Sequence, residues 1–323
     1  MAHHHHRGHS HHVHGAQGHG ARGVTRKFLI ASLAVTLLFV AVEAVAGWWS
    51  GSLALLSDAG HNFTDAFGLA LAAAAFTLES RPGDEIKTFG WQRTGVLAAF
   101  LNALMLVLLS VWLIWESYQR LMAPEPIADT VMLVVAAIGL AVNLAIAWGL
   151  GGHGGDLNLR ATFLHQLGDA ASCVGIIVGA VVIRYTGWVQ VDPILTIAMS
   201  LLIIWTVWDI FRDSLNILLE GLPKGLNLAE VMREIRGVQR VGDVHDLHIW
   251  SLGSEARALS CHVVIEDMPT SESEAILENV NQVLAERFHI HHTTIQFEHT
   301  RCATADACAG GTRPEAAMAR DVQ

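Results

Sequence analysis

Two short runs, His61-Asn62-Phe63-Thr64-Asp65 and His165-Gln166-Leu167-Gly168-Asp169, each set an imidazole and a carboxylate four residues apart. On a helix that spacing puts both groups on one face. Both runs lie in apolar stretches, where ionisable groups are expensive and need a partner or a task. Two imidazoles and two carboxylates meeting at one point make a tetrahedral cage for a divalent metal. The same spacing in two separate apolar helices argues against a pair of unrelated packing histidines. A bound cation would offset both carboxylate charges and remove most of the cost of burying them. The donor set favours Zn²⁺, with Cd²⁺ and Co²⁺ as chemical mimics. Mg²⁺ and Ca²⁺ prefer all-oxygen cages. Metal binding needs neutral imidazole and ionised carboxylate, so it releases protons, and imidazole changes charge near physiological pH. A site of this kind can trade metal for protons.

Other polar residues share the apolar region. Asp58 lies one turn before His61 on the same face, and Asn62 flanks it. Both are candidates for supporting the metal site or relaying protons, as is Glu43. Glu43, Asn102 and Asn143 also suit hydrogen bonding between helices. Asp192, followed by Pro193, reads as the cap of the last apolar helix. Cys173 reads as packing.

The elements that carry these groups are long and apolar. Hydrophobic residues make up 52% of the 323-residue chain and charged residues 15%, against about 25% charged in a soluble domain. The mean hydropathy is +0.40. Six segments approach the ~20 residues a bilayer helix needs, at about 27–47, 55–78, 94–121, 127–150, 160–184 and 192–218. Arg22, Arg26 and Lys27, then Arg81, Lys87 and Arg93, then Arg160, then Arg212 and Lys224 fall on one side, and only Arg120 and Arg184 on the other. The positive-inside rule puts both termini in the cytoplasm. We read residues 25–221 as a six-helix transmembrane domain.

The flanks differ. Residues 1–24 hold His3, His4, His5, His6, His9, His11, His12, His14 and His19, a tract that cannot bury a core and is expected to be disordered. It would serve at most to capture metal. Residues 222–300 lose the long apolar runs after Pro223 and Gly225. A helix near 227–236, strands near 244–251 and 256–266, a helix near 271–288 and a strand near 293–299 follow. This α-β-β-α-β order suits a small α+β domain with helices on one side of a sheet. His245, His248, His262, His291 and Glu298 fall on or beside its strands, where adjacent strands could bring them together. Residues 301–323 read as a disordered tail in which Cys302 and Cys308 are possible thiolate donors.

Several runs resemble the cation diffusion facilitator family of zinc transporters. Ser57 to Asp65 looks like that family's second-helix signature. Thr88-Phe89-Gly90-Trp91-Gln92-Arg93, the run from Asn158 to Asp169, and His245-Asp246-Leu247-His248-Ile249-Trp250-Ser251 are similar to three further signatures. The resemblance spans roughly residues 27–300. It implies six membrane helices, a metallochaperone-like cytoplasmic domain, a homodimer, and exchange of Zn²⁺ for H⁺ by alternating access. It also implies His61, Asp65, His165 and Asp169 as the transport ligands. His245, His262, His291 and Glu298 match positions that bind cytoplasmic zinc, with His248 structural or an added ligand. The pattern departs from binuclear members at Gln296, and in having no histidine between Glu272 and Arg287.

These readings converge on a secondary transporter that exports Zn²⁺, and by chemistry Cd²⁺ or Co²⁺, in exchange for H⁺. The lipid bilayer is its surroundings, and zinc is also expected in the cytoplasmic domain. The Ala-rich, Lys-poor composition points to a bacterial cytoplasmic membrane. An enzyme is disfavoured: the metalloprotease run His-Glu-x-x-His is absent, and both carboxylates are used as ligands rather than free as a general base. No basic stripe indicates a nucleic-acid partner. The alternative is a membrane-anchored zinc sensor, although an anchor has no need of two intramembrane ligand motifs.

Overall fold

The computed structural model describes residues 19–151, 157–253 and 256–300. His3, His4, His5, His6, His9, His11, His12, His14, Cys302 and Cys308 lie outside the described residues. Six long helices come first: α1 (His19–Ser50), α2 (Leu53–Glu79), α3 (Thr94–Met122), α4 (Asp129–Gly151), α5 (Leu157–Thr186) and α6 (Val191–Leu218). After them come α7 (Leu228–Arg236), β1 (Val241–Ser251), β2 (Arg257–Ile265), α8 (Thr270–Phe288) and β3 (His292–Glu298). Helix α1 therefore begins inside the stretch expected to be disordered. Extending an existing helix by a turn costs little once its hydrogen-bond ladder is nucleated.

Five of the long helices have the length and apolarity to cross a membrane; within α1 the qualifying stretch is Ala31–Ser50. The exception is α2, whose Asp58, His61, Asn62 and Asp65 lower its hydropathy. Exposed Leu, Val, Ile, Phe and Trp side chains along these helices, Trp49 and Trp148 among them, are what a lipid-facing surface requires.

The chain divides into two compact units. One runs to Asn62 and holds Glu125–Asp192; the other holds Phe63–Pro124 and continues from Pro193. In the first unit, α4 packs on α1 and α5. Close approach is possible because Gly139 has no side chain: a Cβ there would sit 2.7 Å from Phe39 and 3.1 Å from the Cys173 sulfur.

Asp192, read from the Asp-Pro pair as the cap of α6, opens that helix, and its buried carboxylate caps α2. Oδ1 accepts the Ser52 hydroxyl at 2.5 Å, Oδ2 accepts Leu53 N–H at 2.7 Å, and Oδ1 also accepts Ala54 N–H at 3.3 Å. The first N–H groups of a helix have no partner within it, and inside a membrane protein water does not supply one. A carboxylate satisfies them and opposes the positive end of the helix dipole. Gly51, at φ 71°, makes the turn from α1 into α2, and Ala128 N–H ties that turn to the start of α4 through the Ser50 carbonyl at 2.9 Å.

In the second unit the sheet order is β1-β2-β3, with β1–β2 antiparallel and β2–β3 parallel. Alternation sends Leu259, Cys261 and Val263 of β2 into a core shared with Val231 and Ile235 of α7 and Ile276, Val280 and Leu284 of α8. His262, Gln296 and Glu298 therefore face the opposite side. Asn227 caps α7 through two backbone N–H groups, of Ala229 and Glu230. The α2–α3 loop belongs to this unit. In it Arg93 pairs with Glu220 at 3.0 Å and donates to the Ser251 carbonyl at 3.5 Å, while Phe89 meets His292 edge-on at 5.2 Å.

Candidate metal centres

The first centre lies in the unit formed by α1, α4, α5 and the start of α2. His61 Nε2 is 4.0 Å from Asp169 Oδ1, and His165 Nε2 is 3.6 Å from Asp169 Oδ2. The two imidazoles lie 6.1 Å apart between centroids, inclined at 65°. Gln166 donates its side-chain amide to Asp169 Oδ2 at 3.3 Å. Asp169 is thus the hub, with 6% of its side chain exposed. The two imidazoles are more open: 23% of the His61 side chain and 45% of that of His165 are exposed. Asp65 follows His61 by four residues on α2, one turn along the same face. The structure therefore brings together one histidine from each run and the aspartate of the second. Two imidazoles around one carboxylate form a donor set that suits a divalent ion.

Behind this cluster the packing is polar and closed. Glu43, Asp58, Asn62 and Asn143 are all buried. Asn143 donates to the Cys173 sulfur at 3.7 Å, and the Cys173 thiol donates to Asp58 Oδ2 at 3.7 Å. Cys173 is fully buried, as a packing residue should be, but it also links two polar groups. The sequence carries no spacing signal for that link, because it depends on α2, α4 and α5 meeting. Asn143 matches the expected interhelical role.

The second centre is on the sheet face turned away from the helices. His245 and His262 are directly opposed across β1 and β2, with ring centroids 5.3 Å apart. Glu298 reaches both: Oε2 is 3.2 Å from His245 Nε2, and Oε1 is 2.9 Å from His262 Nδ1. These three residues offer donor atoms within 4.8 Å of one another. Both ring nitrogens of His245, Nδ1 of His262 and Oε2 of Glu298 are buried without a hydrogen bond. Two imidazoles and a carboxylate so arranged suit a zinc-like ion with one position open. The residues present fit such a metal.

A bulge builds this face. β1 carries one extra residue between His245 and His248 relative to β2, and Asp246 there takes φ 50°. The bulge re-aims the side chains on either side of it. His248 turns outward and meets Asp246 Oδ1 at 3.0 Å, so it does not join the trio. Asp246 Oδ2 lies 3.8 Å from His262 Nε2, and sequence reasoning missed it. His291, also expected among the cytoplasmic ligands, precedes β3, is exposed, and stands outside the trio. Cys261, next to His262, faces the core. Burial, aided by the Asp246 charge, pushes its thiol up to about 12.

Fold and donor sets together define a multi-pass membrane protein with a small α+β domain and metal-type ligand clusters. Residues 29–219 match the cation efflux transmembrane domain, and residues 223–300 match the cation efflux protein cytoplasmic domain. The chain belongs to the cation efflux family. It is 41% identical over 286 residues to the metal cation efflux system protein CzcD of Cupriavidus metallidurans, covering 88% of this chain and 90% of that one. It is 40% identical over 281 residues to the cadmium, cobalt and zinc/H(+)-K(+) antiporter of Bacillus subtilis, with 85% and 90% covered. Zinc transporter ZitB of Escherichia coli is also 40% identical over 281 residues, with 86% and 89% covered. Among solved structures, the metal-bound C-terminal domain of the CzcD transporter is 44% identical, covering 23% of this chain and 99% of that one at a TM-score of 0.21.

Proposed function

We propose that the protein exports Zn²⁺, with Cd²⁺ and Co²⁺ as further substrates, from the cytoplasm in exchange for H⁺. The observation that carries this reading is the meeting of His61, His165 and Asp169 from two separate membrane helices. Asp65, one turn beyond His61, completes the ligand set. Zn²⁺ is the substrate, held between α2 and α5 by two imidazoles and two carboxylates. When the site faces the cytoplasm, neutral imidazoles and ionised carboxylates take the metal. When it faces the other side, protons replace it. An inward proton gradient then drives metal outward. The relative named as a metal cation efflux system protein supports the outward direction, and the one named as an antiporter supports exchange.

The arrangement needs six spans, with α2 as the one that trades apolarity for ligands. Both termini then lie in the cytoplasm and the protein sits in a bacterial cytoplasmic membrane. We assign residues 25–221 to transport and 222–300 to a cytoplasmic domain that pairs two copies into a homodimer. Residues 1–24 and 301–323 are accessory tails.

Zinc also occupies the cytoplasmic domain in this reading. His245, His262 and Glu298 hold it, and the ion ties β1, β2 and β3 together. Full-length His262→Ala should bind about one Zn²⁺ fewer per chain than wild type, since one of three protein ligands is gone. Equilibrium dialysis measures this, and an unchanged count would remove the trio from the metal sites.

The transport reading is tested in liposomes containing the full-length protein, with Zn²⁺, Cd²⁺, Co²⁺ and Mn²⁺ offered across a pH gradient. Uptake of the first three, with counterflow of protons, is expected. Absence of Zn²⁺ movement from the wild-type protein, or movement indifferent to the gradient, would overturn it.

A further inference from the structure

Asp246 breaks the alternation of β1. Successive side chains of a strand point to opposite faces. Val244 packs into the core of the domain, and His245 turns to the other face, where it meets Glu298. Alternation then expects Asp246 to join the core. The extra residue between His245 and His248 carries it back to the side of His245 instead, and its Oδ2 comes within 3.8 Å of His262 Nε2. Leu247, the next residue, resumes the core side. The backbone of Asp246 takes φ 50° to do this. Aspartate tolerates that left-handed conformation better than most residues, but glycine fits it best. The backbone alone therefore does not call for a carboxylate.

The two nitrogens of His262 give the carboxylate a task. Nδ1 lies 2.9 Å from Glu298 Oε1, so Nδ1 is the nitrogen turned into the trio. A neutral imidazole holds its proton on one nitrogen and a lone pair on the other. Nδ1 can offer a lone pair only when the proton sits on Nε2, and Nε2 faces Asp246. The other oxygen of Asp246, Oδ1, lies 3.0 Å from His248 Nε2. Among the described residues these two rings are the ion-pair partners of Asp246. His248 thus anchors one oxygen and leaves the second for His262. A histidine that binds metal almost always passes its second N–H to a carboxylate, a carbonyl or water, which fixes its tautomer and the direction of its ring.

We propose that Asp246 is a positioning residue of the cytoplasmic metal centre. The Nε2–H of His262 donates to its Oδ2, so Nδ1 presents a lone pair toward His245 and Glu298. His248, which stands outside the trio, braces the carboxylate from the other side. This rests on the reading that His245, His262 and Glu298 hold zinc. At 3.8 Å the pair is about 1 Å beyond hydrogen-bond range, a gap that a small rotation of the Asp246 side chain closes. The β1 bulge is then the device that puts a ligand, His245, and the orienting group of the facing ligand, His262, on consecutive residues.

The test uses the full-length protein as wild type, Asp246→Gly, Asp246→Asn, His248→Ala and His262→Ala. Zn²⁺ affinity is measured by competition with a chromophoric chelator, and the binding lost in His262→Ala marks the share of the trio. Melting without metal and the ring N–H proton signals of the zinc-loaded protein are followed in parallel. Asp246→Gly should melt close to wild type without metal, because glycine suits the left-handed backbone. It should nevertheless bind Zn²⁺ at the trio about 10–100-fold more weakly. Asp246→Asn keeps one acceptor oxygen and should fall between the two, and His248→Ala should lose less than Asp246→Gly. The Nε2–H signal of His262, identified by its absence from His262→Ala, should be present in wild type and lost to exchange with water in Asp246→Gly. Wild-type affinity or an unchanged Nε2–H signal in Asp246→Gly would overturn the proposal. So would loss of the metal-free fold in both Asp246 variants, which would make the residue a structural one. If His262→Ala binds as much Zn²⁺ as wild type, the trio reading fails and the orienting role goes with it. If His262→Ala loses the site while Asp246→Gly keeps it, the orienting role alone fails.

Discussion

Asp169→Ala should abolish Zn²⁺-dependent proton flux. Asp169 is the residue that both imidazoles approach, His61 at 4.0 Å and His165 at 3.6 Å. Its loss removes a proposed ligand and also the group that orients two others. Losing an outer partner of a metal ligand typically costs about 10–100-fold in affinity, so losing a direct ligand should exceed about 100-fold. Asp169→Asn is the informative companion. It keeps the shape and an acceptor for Gln166, but removes the charge that Zn²⁺ binding requires. Titration calorimetry and liposome flux on both variants decide the matter. Near-wild-type affinity in Asp169→Ala would mean that the metal is bound elsewhere.

Asp192→Ala should damage transport without touching the metal. The substitution leaves the Leu53 and Ala54 N–H groups without their side-chain acceptor; both residues are buried, 1% and 0% exposed. An orphaned buried donor costs about 1–3 kcal/mol, so the pair should cost on the order of 2–4 kcal/mol. Thermal unfolding of the purified protein should show a fall of several degrees, since about 1 kcal/mol corresponds to roughly 2–4 °C in a chain of moderate size. Asp192→Asn retains one acceptor oxygen and should lose less. His61 lies eight residues beyond Leu53, about two helical turns, so fraying at this end also loosens the metal centre. A melting point equal to wild type would show that the cap does not hold α2.

The two His-to-Asp runs were legible because helical geometry is periodic: a spacing of four residues defines a face wherever the helix ends up. The apolar segments were legible for a related reason. A lipid-exposed backbone has almost no alternative to the helix, so length and hydropathy suffice to locate it. The α-β-β-α-β order could likewise be read from local alternation and turn residues. Asp192 shows where such reading stops. An aspartate before a proline looks like the cap of its own helix, and only the meeting of two chain segments more than a hundred residues apart made it the cap of another. His245 and His291 make the same point. Both were read as cytoplasmic ligands, yet the β1 bulge and strand register bring His245 to His262 and Glu298 and leave His291 exposed outside them.

By itself, the sequence determined the helix count, the small α+β domain and the donor types, because each depends on local spacing and composition. Tertiary structure alone decided which donors converge: the Asp169 hub, the His245–His262–Glu298 trio, Asp246 beside it, and the Asn143–Cys173–Asp58 link. These are contacts between groups distant in the chain. Their geometry is set by how helices pack and strands register, which no local pattern encodes.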